Sequence, residues 1–104
     1  MSWFNFLFGS ADIRELKALE KALCQNHIPI DSDPYNALLS RIADSKNKDA
    51  IRLLQSTAKA AEEFIAKYRQ AGLYKQPGAW VLKANAEDII SKVSTAIEKI
   101  NSES

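Results

Sequence analysis

The spacing of apolar residues constrains this chain most. Ile51, Leu54, Ala58, Ala61, Ile65 and Tyr68 recur at alternating steps of three and four. That is the period of one helix face and of a heptad seam, where a strand would alternate at two. Three more stripes repeat it: Ile13, Leu16, Leu19 and Leu23; Tyr35, Leu38, Leu39 and Ile42; and Ile89, Val93, Ala96 and Ile100, widened by Ile90 and Ile97. An amphipathic helix must bury its face against another element. Four such faces predict an all-α fold, a small four-helix bundle or an irregular helical array.

The chain has only three glycines and three prolines, and they punctuate it. Gly9-Ser10 closes an aromatic leader, and a first helix is expected over 11–26. Asp33-Pro34 starts the second helix, over 34–45, with Asp33 as N-cap and Pro34 at the first helical position. The third is expected over 48–71, with Gly72 as its stop. Alanines in its middle let another helix come close, while Arg52, Gln55, Lys59, Glu62 and Arg69 form a solvated face. Asn85 caps the fourth helix, over 86–101, with Asp88 completing a capping box. Between them, Pro77-Gly78 is flanked by Leu73-Tyr74 and Trp80-Val81-Leu82, which suits either a short hairpin over 73–82 or an irregular loop. Short joints predict that sequence neighbours pack antiparallel. The expected organisation is a leader over 1–10, one helical domain over 11–101 and a frayed tail over 102–104.

A domain of 104 residues buries roughly two thirds of its unfolded surface, enough for one core. Its apolar share of 46% and charged share of 26% are those of globular chains. A net charge of +1 gives no global field to recruit nucleic acid or anionic lipid, so only local patches could do so. A single cysteine fits a reducing compartment. The apolar opening lacks the basic region of a secretory signal, and no run of 18 apolar residues exists to span a bilayer. A cytoplasmic location is expected.

The stretch "CQNHIPIDSD" holds the best candidates for metal or nucleophilic chemistry. Cys24 and His27 lie three apart, with Asp31 and Asp33 close behind. No second Cys or His pair supports them, cysteines are usually buried, and a histidine in a last helical turn is favoured by the dipole. A structural role is expected. The glycines at 9, 72 and 78 make no phosphate loop, and the acidic pairs Glu62-Glu63 and Glu87-Asp88 split around their helices. No enzyme activity, cofactor or metal is expected.

Nucleic acid has a stronger case. Lys67, Arg69, Lys75 and Lys83 fall between Phe64 and Asn85 with no acidic residue, interleaved with Phe64, Tyr68, Tyr74 and Trp80. Such a pattern combines phosphate contact with base stacking. Against it, the third helix is about twice the usual recognition length and lacks an Arg/Asn/Gln cluster at its start.

The leader "MSWFNFLFGS" is the remaining feature. Burying Trp3, Phe4, Phe6, Leu7 and Phe8 is worth ~1.5–3 kcal/mol each, a total approaching the ~5–15 kcal/mol stability of a whole domain. They either cap the bundle, dock on another protein, or dip into a membrane interface. Phe4, Phe6 and Phe8 alternate like a strand, while Phe4, Leu7 and Phe8 share a helical face. The first basic residue is Arg14, which weakens the membrane option. The expected function is a non-catalytic protein–protein interaction module, an adaptor, inhibitor or regulatory subunit. Its partner is another protein or a second copy of the chain. Nucleic-acid binding through 64–85 is the alternative, and weak membrane association through the leader is the second.

Overall fold

The computed structural model describes the backbone of residues 2–70 and 78–102, and the side chains of residues 11–70 and 78–102. Four helices form a bundle: α1 (Ser2–Cys24), α2 (Asp33–Ser45), α3 (Ile51–Gln70) and α4 (Ala79–Asn101), with a 3₁₀ turn at Lys48–Ala50 before α3. No strand occurs among the described residues. The two longest helices, α1 and α4, each extend about 35 Å at 1.5 Å per residue.

The stripes form the core. Leu16, Leu19 and Leu23 of α1, Tyr35, Leu38, Leu39 and Ile42 of α2, and Ile89, Val93, Ala96 and Ile100 of α4 are all buried. In α3 the seam is rotated from its expected line. Leu54, Thr57, Ala61, Phe64 and Tyr68 are buried, whereas Ile51, Ala58 and Ile65 flank the core half-buried. Thr57 tolerates full burial because its hydroxyl donates to the Leu53 carbonyl at 2.8 Å.

Sequence neighbours do not all pack together. α1 lies against α3 and α2, and α4 lies against α3 and α2, so α2 and α3 face each other across the diagonal. The expectation of antiparallel neighbours therefore fails for that pair. A joint of a few residues places two helices near each other, but which faces meet is decided by where their stripes can be buried. The stripe of α2 finds its main partner in α4.

Several helix ends also differ from expectation. α1 runs unbroken through Gly9 and Ser10. It stops at a Schellman motif, with Asn26 in the left-handed region (φ 63), the Asn26 N–H bonded to the Leu23 carbonyl and the His27 N–H to the Ala22 carbonyl. At α2 the N-cap is Ser32, which makes no side-chain capping bond, and Asp33 is the first helical residue; its N–H donates to Asp31 Oδ1 at 3.0 Å. α4 begins at Ala79, behind Gly78 in the left-handed region at φ 77. Trp80-Val81-Leu82 is thus helical, which removes the second strand of the hairpin; residues 71–77, including Gly72 and Pro77, lie outside the described residues. Asn85 sits within α4, where its amide donates to the carbonyls of Pro29 (2.6 Å) and Ile30 (3.0 Å). That bond holds the joint between α1 and α2 against α4.

Candidate interaction surface

The unbroken α1 changes what its first half can do. Taking the helix at 3.6 residues per turn, the line of Leu23, Leu19 and Leu16 continues through positions 12, 9, 5 and 2. Those positions hold Asp12, Gly9, Asn5 and Ser2. The opposite line passes through positions 3, 7, 10, 14, 17 and 21, which hold Trp3, Leu7, Ser10, Arg14, Lys17 and Lys21. The apolar positions 3, 4, 6, 7 and 8 spread over about 200° of the helix, from the line opposite the bundle round to position 8, which falls close to the line of Leu19. Positions 4, 7 and 8 neighbour one another as on any helix face, which replaces the strand-like alternation. The contacts of the side chains of Trp3, Phe4, Phe6, Leu7 and Phe8 lie outside the described residues.

Beyond residue 10 that opposite line is exposed. Arg14, Lys17 and Lys21 all face solvent. The acidic residues nearby are drawn to the α2 side: Arg41 donates from Nε to Asp12 Oδ1 at 3.0 Å and from Nη2 to Glu15 Oε1 at 3.3 Å. Three cations are left along one line with no carboxylate on it. In the sequence Gly9-Ser10 marks a helix boundary, and the 14-17-21 line joins the leader only when the helix passes through that glycine.

The nucleic-acid candidates do not gather. Phe64 and Tyr68 belong to the core, with ring centroids 6.3 Å apart, so neither is free to stack on a base. Lys67 and Arg69 are exposed but lie about 200° apart around α3. Lys83 is paired with Glu87 at 2.7 Å, and Lys75 and Tyr74 lie outside the described residues. Trp80 alone of the described aromatics is open, at 70% exposure.

The Cys24 and His27 pair is not brought together by a shared helix face, since α1 ends between them. Cys24 is exposed, against the expectation of burial. Among the described residues, no group of three or more His, Cys, Asp or Glu side chains could hold a metal ion. A shallow polar cleft of about 380 Å³ lies between α2 and α4, lined by Ser40, Ser91, Lys92 and Thr95. Lys99 crosses its edge to Asp44 at 2.5 Å and holds that carboxyl below the usual carboxylate range.

One partly buried polar contact ties α2 to α4. The Tyr35 hydroxyl donates to Asp88 Oδ2 at 2.9 Å, and Asp88 also pairs with Lys92 at 3.3 Å. Burial first, then the hydrogen bond and the charge of Asp88, push the Tyr35 pKa well above its ordinary value. Because folding favours the protonated phenol, this contribution is complete below about pH 10, the unfolded value, and is lost as pH rises beyond it. Tyr35→Phe is expected to cost about 1–2 kcal/mol at neutral pH. It should also flatten the alkaline fall in melting temperature relative to the parent chain. Thermal melts of both chains from pH 7 to 11 measure this, and parallel curves would refute it.

No family model matches this sequence, no curated protein is detectably similar to it, and no solved structure matches its fold. Among the described residues, no helix is long and apolar enough to cross a membrane.

Proposed function

We propose that this chain is a non-catalytic docking protein of the cytoplasm, and that the first half of α1 is its docking element. The observation that supports this reading is that α1 runs unbroken through Gly9, so that positions 3, 4, 6, 7 and 8 are spread over about 200° of one helix, more than a single packing face. One helix cannot present both sides to the same bundle, and the Leu16, Leu19 and Leu23 side is already in the core. The exposed, unpaired Cys24 suits a reducing compartment. Nucleic-acid binding has less behind it, because two of its four aromatics are core residues and Lys83 is already paired.

The test is removal of residues 2–8. The helical circular dichroism per remaining residue and the melting temperature should change little, while concentration-dependent self-association and binding of a polarity-sensitive dye disappear. A fall in melting temperature of more than about 15 °C would mean that the segment is core, at ~4–8 °C per kcal/mol for a domain of this size. Salt-sensitive nucleic-acid binding that is lost with Lys75→Glu and Lys83→Glu would replace the docking reading with its competitor.

A further inference from the structure

We draw no further inference here: the strongest candidate, the shallow polar cleft between α2 and α4, carries nothing, because its two ammonium groups are already engaged, Lys92 with Asp88 and Lys99 with Asp44, and nothing in the structure shows what would occupy it.

Discussion

Truncating Phe64 to alanine is expected to lower the melting temperature by at least about 15 °C. The ring is 1% exposed and lies on the α3 line that carries Leu54, Thr57, Ala61 and Tyr68 into the core. Removing a fully buried phenylalanine costs ~3–5 kcal/mol, the lost transfer energy plus that of the cavity left behind. Each kcal/mol moves a domain of this size by ~4–8 °C. Tyr68 stands in tilted contact with the ring, so it loses a partner as well. The same substitution separates two roles for this residue. A surface stacking residue could be removed with little effect on stability, and a melting temperature within a few degrees of the parent would show that Phe64 lies outside the core.

Enlarging Ala61 to leucine is the second large effect, expected to cost ~1–3 kcal/mol, or roughly 5–20 °C. Ala61 is fully buried on α3, the helix that packs against both α1 and α4. Extra methylenes there have no space, so they must push a neighbouring helix away or adopt strained rotamers. Ala66→Leu is the control. Position 66 is exposed, leucine is nearly as good a helix former as alanine, and the change should fall within ±0.5 kcal/mol. Melts of both variants read the outcome, and equal effects at 61 and 66 would show that Ala61 lies outside the core.

The all-α bundle was legible because Leu16, Leu38, Ile89 and their partners repeat with helical spacing, and burial follows that spacing whatever the tertiary details. The α3 seam falls one residue from its expected line at three points, with Ala50, Thr57 and Phe64 buried in place of Ile51, Ala58 and Ile65. Strict three-and-four spacing selects Ile65 over Phe64, and a polar Thr57 carries no apolar signal although its hydroxyl is satisfied within its own helix. Helix starts were harder. Asn85 looked like a cap, because a mid-helix asparagine that serves a distant joint leaves no local mark; its acceptors, Pro29 and Ile30, lie more than fifty residues away. Gly9 looked like a boundary because glycine is a poor helix former, but its cost of ~1 kcal/mol is small enough to be absorbed. In the folded chain the leader and the exposed line of Arg14, Lys17 and Lys21 therefore belong to one helix.

The placement of α2 against α4 has a consequence for how the chain acquires its structure. α1 and α3 can meet as soon as both have formed, but the face of Tyr35, Leu38, Leu39 and Ile42 gains its main cover only when α4 arrives. The bonds from Tyr35 to Asp88 and from Asn85 to the Pro29 and Ile30 carbonyls close over long stretches of chain, so their loop entropy must be met before they contribute. During synthesis, α2 emerges early and waits with an oily side uncovered, the kind of exposed surface that draws chaperones and favours misassembly. In the finished molecule the same dependence makes α2 and the joint before it a unit that opens whenever α4 detaches. Their amide protons should exchange with solvent together with those of α4, as one cooperative block.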